Sequence, residues 1–207
     1  MFVLSLCNQL CPDKLPVVVG ERLGDGSDGE VFTINDQPEK VIKLCVIYDS
    51  PARRVKDYHS RIKLILDYMV QNSPEPYAKL YEHGYLGQYR RAFYDSPKKD
   101  QPFVIYYYIV EKLEKLTEDE KKVFHTILSH EDRGITKNYT PEKLRETLQG
   151  LGRGLDFDAE KVTLFCDNIR KSPVSHLDLH PRNIMKTKGG EFKLIDFDRS
   201  ILENQNV

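Results

Sequence analysis

His176-Leu177-Asp178-Leu179-His180-Pro181-Arg182-Asn183, running on through Ile184-Met185-Lys186-Thr187-Lys188-Gly189-Gly190-Glu191-Phe192-Lys193-Leu194-Ile195-Asp196-Phe197-Asp198, is the stretch on which the fold turns. Asn183 to Thr187 and Glu191 to Asp196 read as two short strands around the turn at Lys188-Gly189-Gly190. The second strand ends in a carboxylate, Asp196, flanked by Ile195 and Phe197, where an unpaired charge would be expensive. A polar loop rich in Asp, His, Arg and Asn leads into the first strand. Asp178, Asn183 and Asp196 therefore belong to one loop-strand-turn-strand segment.

Near the other end, Gly24-Asp25-Gly26-Ser27-Asp28-Gly29-Glu30-Val31 follows the apolar run Val17-Val18-Val19 and precedes Val31-Phe32-Thr33-Ile34. A hairpin turn accounts for these glycines about as well as a phosphate-binding loop does. Their setting is strand-loop-strand, whereas a dinucleotide-binding fingerprint opens a helix. In the next run, Val41-Ile42-Lys43-Leu44, strand alternation puts Lys43 on the face of Val41 and Cys45. An ammonium there calls for an anion; a snorkelling edge lysine is the plain alternative.

Taken in chain order, these segments resemble the G-x-G-x-x-G-x-V loop, the V-A-I-K strand, the H-R-D-x-x-x-x-N loop and the D-F-G position of protein kinases. The chain is similar, over roughly residues 17 to 200, to a minimal, atypical member of the protein-kinase-like superfamily. The resemblance implies an α+β, two-lobed fold. Residues 1–110 would form an N-lobe with an antiparallel sheet, the glycine loop, the strand lysine and helix C. Residues 111–207 would form a truncated, mainly helical C-lobe with the hinge, the catalytic loop and the metal-binding Asp. It also implies ATP and Mg²⁺. Gly24, Gly26, Gly29, Val31 and Lys43 would meet the nucleotide, and Glu111 and Leu113 would hydrogen-bond adenine from the hinge beside a gatekeeper at Val110. Asn183 and Asp196 would ligate the metal, a hard cation that prefers oxygen. Asp178 would take or orient the proton of the acceptor hydroxyl. The catalytic set is thus Asp178, Lys43, Asn183 and Asp196.

Departures from that pattern decide what kind of kinase is expected. Residues 44–74 contain no Glu to pair with Lys43; Asp57 is the nearest substitute and Asp67 a poorer one. Leu177 replaces the Arg before the catalytic Asp, which removes the usual partner of an activation-loop phosphate. Asp198 replaces the Gly of D-F-G, and Ile195-Asp196-Phe197-Asp198, with the His180 loop, is similar to aminoglycoside and choline kinases. Eleven residues follow Asp196, so the activation segment and the later helices that seat substrates are expected to be missing. Comparable economy is found in short phage- or bacterial-type kinase-like proteins. The resulting expectation is an ATP- and Mg-dependent phosphotransferase, a minimal Ser/Thr protein kinase acting on a protein hydroxyl. The alternatives are a non-catalytic nucleotide-binding pseudokinase or interaction module, and a small-molecule kinase. The expected partners are a protein substrate or an activating protein, self-association being the simplest form.

Composition bears on partners and compartment. Lys+Arg 31 against Asp+Glu 32 in 207 residues leaves a net charge of -1, so neither nucleic acid nor membrane is expected as a partner. No apolar run reaches spanning length, and Met1 to Leu6 lacks a charged leader. Cys7, Cys11, Cys45 and Cys166 form no C-x-x-C and read as reduced thiols of a cytoplasmic protein. Elsewhere, Asp49-Ser50-Pro51 caps a helix over 51–71 whose Val55, Tyr58, Ile62, Ile65 and Met69 face inward. Tyr77–Leu86 and Tyr89–Phe93 read as two strands, Asp95–Asp100 as an exposed turn, and Gln101–Val110 as a buried strand with Tyr106-Tyr107-Tyr108 in the core. Thr117 to Glu120 is a capping box opening a helix to about Ser129. Thr140-Pro141 and Asp158 start two more helices, with connectors over 133–139 and 150–154.

Overall fold

The computed structural model describes residues 3–26, 29–48, 56, 58–91, 101–128 and 140–203. The chain divides into two compact units, Met1–Gln71 with Lys79–Lys112, and Asn72–Ala78 with Leu113–Val207. The whole is mixed α+β.

The first unit is built on five antiparallel strands, β1 (Val19–Gly26), β2 (Gly29–Ile34), β3 (Lys40–Tyr48), β4 (Leu80–Arg91) and β5 (Gln101–Glu111), in the order β1-β2-β3-β5-β4. Strands β3 and β5 are apolar on both faces, as central strands covered on both sides must be. One face carries Phe32, Ile42, Leu44, Phe103 and Ile105 into a core shared with Leu6 and Cys7 of α1 (Val3–Leu10). On the other face Tyr106 meets Tyr58, ring centroids 5.1 Å apart. Tyr58 opens a single π turn, Tyr58–Ile62, that runs on into α2 (Lys63–Asn72). Ile62, Ile65, Leu66 and Met69 are buried at the i, i+3, i+4, i+7 spacing of one helical face. Within the helix expected over 51–71, residues 51–55 and Asp57 lie outside the described residues.

One expectation is corrected in this unit, and one element is new. Instead of two strands, Leu80–Arg91 is one strand, with Phe93 and Asp95–Asp100 outside the described residues. The ladder to β5 shifts register between Tyr85 and Gly87, and Gly87 sits at φ 147°. A glycine bulge absorbs the irregularity that reads in sequence as a turn. The N-terminal helix α1 was not anticipated either, because Val3, Leu6 and Cys7 give only one short apolar repeat.

The second unit contains α3 (Glu118–Leu128), α4 (Pro141–Leu151), α5 (Ala159–Lys171) and short strands β6 (Val174–His176), β7 (Ile184–Lys186), β8 (Phe192–Leu194) and β9 (Ser200–Leu202). Strand β6 pairs with β9, and β7 with β8. The capping box forms in both directions: Glu120 N–H donates to Thr117 Oγ1 at 3.2 Å, and Thr117 N–H to Glu120 Oε2 at 2.6 Å. Thr140 and Asp158 cap α4 and α5 by accepting from Lys143 N–H and Lys161 N–H. Phe124, Phe165 and Phe192 meet edge-to-face at 4.9–6.1 Å and tie α3 and α5 to β8. Helix α4 continues through Gly150 to Leu151, so the expected connector begins only at Gly152, its C-cap; residues 129–139 lie outside the described residues.

All four cysteines are buried and none is in a disulfide among the described residues. No helix among the described residues is long and apolar enough to cross a membrane.

Candidate active site

In the second unit, strand pairing gathers the loop residues. Register sets Ile184 opposite Leu194, and Ile195 N–H donates to the Asn183 carbonyl at 2.9 Å. Asn183 thus lies across from Ile195, one residue from Asp196. A 3-10 turn, Pro181–Asn183, brings the chain round to that point, capped by His180, whose Nδ1 accepts Arg182 N–H at 3.1 Å. The Asn183 side chain is buried, and its Nδ2 donates to the Asp178 carbonyl at 2.9 Å. That bond fixes the amide plane and leaves the amide oxygen as the atom able to meet a cation.

His176 holds the loop from beneath. Its Nε2–H donates to the Ile195 carbonyl at 2.8 Å, and its Nδ1 accepts Asp178 N–H at 3.2 Å. Acceptance at Nδ1 requires the neutral ring with its proton on Nε2. Burial pushes the His176 imidazole below its ordinary 6.5, against the opposing pull of the Ile195 carbonyl, Asp178 and Asp198. Tyr77 stacks on it, centroids 6.3 Å apart and planes at 20°, and donates its hydroxyl proton to the Val174 carbonyl at 3.0 Å. A segment far upstream thereby sets the ring's position. Lys193, in β8, donates to both Glu75 carboxylate oxygens at 2.6 Å, and Leu194 N–H donates to the Pro76 carbonyl.

Asp196 occupies the left-handed region at φ 70°, ψ 54°. For a residue other than glycine this costs on the order of 1–2 kcal/mol and persists only where surroundings enforce it. Asp198, 2 % exposed, is buried just beyond it. Asn183 and Asp196 together offer one carboxamide and one carboxylate oxygen, a donor set that fits Mg²⁺ with phosphates and water completing the shell. Among the described residues there is no group of three or more His, Cys, Asp or Glu placed to hold a metal ion.

Two side-chain nitrogen groups converge on Asp178. Arg199 Nη1 lies 3.3 Å and His180 Nε2 3.7 Å from its Oδ2. Sequence reasoning missed Arg199, since only the pairing of β6 with β9 brings it there: His176 lies opposite Ser200, and Leu177 N–H donates to the Arg199 carbonyl at 2.8 Å.

In the first unit the glycines lie at the β1–β2 hairpin, with Gly24 opposite Val31 and Gly26 opposite Gly29. Gly29 is needed by packing: a Cβ there would lie 2.2 Å from the Leu44 carbonyl oxygen. Around Gly24 and Gly26 a Cβ would meet no heavy atom within 4 Å. Next to the hairpin, Val31, Lys43, Tyr108 and His83 stand in one row across β2, β3, β5 and β4. The Lys43 ammonium lies 5.5 Å from the Tyr108 ring centroid. Asp67 is engaged by Lys63 at 2.6 Å and His83 at 2.8 Å. Burial pushes its carboxyl up, but the bonds from those two residues outweigh burial and bring it below the usual range. Asp57 lies outside the described residues. Of the hinge candidates, Glu111 donates its N–H to the Lys79 carbonyl at 3.0 Å, so only its carbonyl is left to serve a ligand. Val110 is buried in β5, and Leu113 begins the main segment of the second unit, half-buried.

No model of a known protein family matches this chain, and no curated protein matches it.

Proposed function

We propose that the chain is an ATP- and Mg²⁺-dependent phosphotransferase of protein-kinase-like type, a minimal Ser/Thr protein kinase acting on a protein hydroxyl. The observation that carries this reading is the loop geometry: Asn183 Nδ2 bonded to the Asp178 carbonyl, His176 tying Asp178 to Ile195, and Asp196 held left-handed one residue beyond. In the reaction the acceptor oxygen forms a bond to the γ-phosphorus, and the bond from that phosphorus to its bridging oxygen breaks. ADP leaves with the electron pair. Asp178 takes the hydroxyl proton and returns it to water. Asn183 and Asp196 would hold the divalent metal, which when bound neutralises phosphate charge. Gly24, Gly26, Gly29, Val31 and Lys43 serve the nucleotide phosphates, and Glu111 and Leu113 the base.

A second reading, a nucleotide-binding module without turnover, is favoured by Asp67, which is spent on Lys63 and His83 in a helix that has no Glu. Both readings require nucleotide binding. MgATP at about 100-fold its dissociation constant is expected to stabilise the fold by ~2.7 kcal/mol. Asp196→Asn is expected to lose the Mg²⁺-dependent part. A folded protein whose melting is unmoved by millimolar MgATP overturns both.

A further inference from the structure

We infer that Arg199 is the cation that meets the transferring phosphoryl group; the inference rests on the phosphotransferase reading. Arg199 is delivered to Asp178 by backbone pairing. It is the last residue of the 3-10 turn Phe197–Arg199, its carbonyl accepts Leu177 N–H at 2.8 Å, and its Nη1 reaches Asp178 Oδ2 at 3.3 Å. The pair is a poor stabilising device. With side chains 38 % and 35 % exposed, such a contact contributes little to stability. It suits chemistry better. In the transfer, negative charge spreads over the phosphoryl oxygens next to the acceptor that Asp178 orients, so a fixed positive charge within reach of those oxygens stabilises the transition state. The immediate sequence neighbours of Asp178 carry no permanent cation, since Leu177 precedes it and Leu179 and His180 follow, and the loop's own Arg182 lies four residues on. A guanidinium, planar with five donors, is able to hold a carboxylate oxygen and phosphoryl oxygens together. The chemical class it takes is a phosphoryl group passing from a nucleotide phosphoanhydride to a hydroxyl, and the residue acts by direct contact.

The test compares wild type, Arg199→Ala, Arg199→Gln and Asp178→Asn in transfer from labelled ATP with Mg²⁺, each first shown to be folded by its melting curve. Both Arg199 variants are expected to lose roughly 10²–10³-fold in kcat, with KM for ATP nearly unchanged. Guanidinium ion, but not sodium at equal ionic strength, is expected to restore part of the rate to Arg199→Ala. The double variant with Asp178→Asn is expected to lose less than the product of the single losses, since the two groups act as a unit. Folded Arg199→Ala or Arg199→Gln at wild-type rate, while Asp178→Asn is inactive, refutes the assignment of Arg199 and leaves the phosphotransferase reading standing. Loss without guanidinium rescue and with KM for ATP rising in step also refutes it, marking Arg199 as a brace. Absence of transfer by wild type refutes the phosphotransferase reading, and this inference falls with it.

Discussion

Lys186→Met would leave the Glu120 carboxylate buried without its cation. The Lys186 ammonium donates to both carboxylate oxygens at 2.9 Å, and the side chains are 18 % and 11 % exposed. Breaking a fully buried pair by removing one member costs about 3–5 kcal/mol. Glu120 keeps the bond from Thr117 N–H and some access to water, so the expected loss is about 2–3 kcal/mol. For a chain of this size that lowers the melting temperature by roughly 4–12 °C. The loss has a pH signature. Burial raises the Glu120 carboxyl, but the bonds from Thr117 and Lys186 outweigh it and hold it below its ordinary 4.5. A carboxyl lowered on folding contributes stability that is full above its unfolded value and disappears as pH falls through the folded one. The gap between wild type and Lys186→Met is therefore expected to be widest near neutrality and to close in acid, once Glu120 is protonated in both. Glu120→Gln combined with Lys186→Met is expected to be milder than Lys186→Met, because no charge is stranded. Thermal melts of the three proteins across an acid-to-neutral series decide the matter. A Lys186→Met protein as stable as wild type at neutral pH, or a gap that ignores pH, would refute the reasoning. Strand β7 follows Asn183 directly, so the same variant tests how firmly the candidate loop is braced.

Gly29→Ala is expected to cost about 1–3 kcal/mol, because its Cβ would drive into the Leu44 carbonyl; Gly24→Ala, which meets open space, should stay within about 0.5 kcal/mol in the same melts. Because burial holds His176 below 6.5, it contributes stability that is fully present above the unfolded value and is lost as pH falls below it. His176→Gln should flatten wild type's stability loss through that weakly acidic window, and an unchanged slope would refute the assignment.

Much of the second unit's loop was legible because its elements are local: Gly189-Gly190 marks the turn, the flanking apolar residues mark β7 and β8, and Thr117 with Glu120 spells its own cap. The spacing from Asp178 to Asn183 to Asp196 likewise carried the candidate site. What escaped depends on pairing between residues distant in sequence. Tyr77 stacks on His176, Arg199 reaches Asp178, and Glu75 holds Lys193, and none of these has a local signal. Gly87 misled for the opposite reason, since a glycine followed by a polar residue reads as a break between two strands, whereas here one strand passes through it in a bulge. Asp67 looked available to Lys43 from its helical position, but His83 is a better-placed partner, delivered by β4.

The most direct test of the central claim is phosphoryl transfer from ATP, with Mg²⁺, by wild type and Asp178→Asn in parallel, with nucleotide affinity measured on both. Asp178→Asn preserves shape while removing the carboxylate that takes the hydroxyl's proton. Turnover is expected to fall by about 10²–10⁴-fold with nucleotide affinity nearly intact. Wild-type turnover in the Asp178→Asn protein would contradict the account.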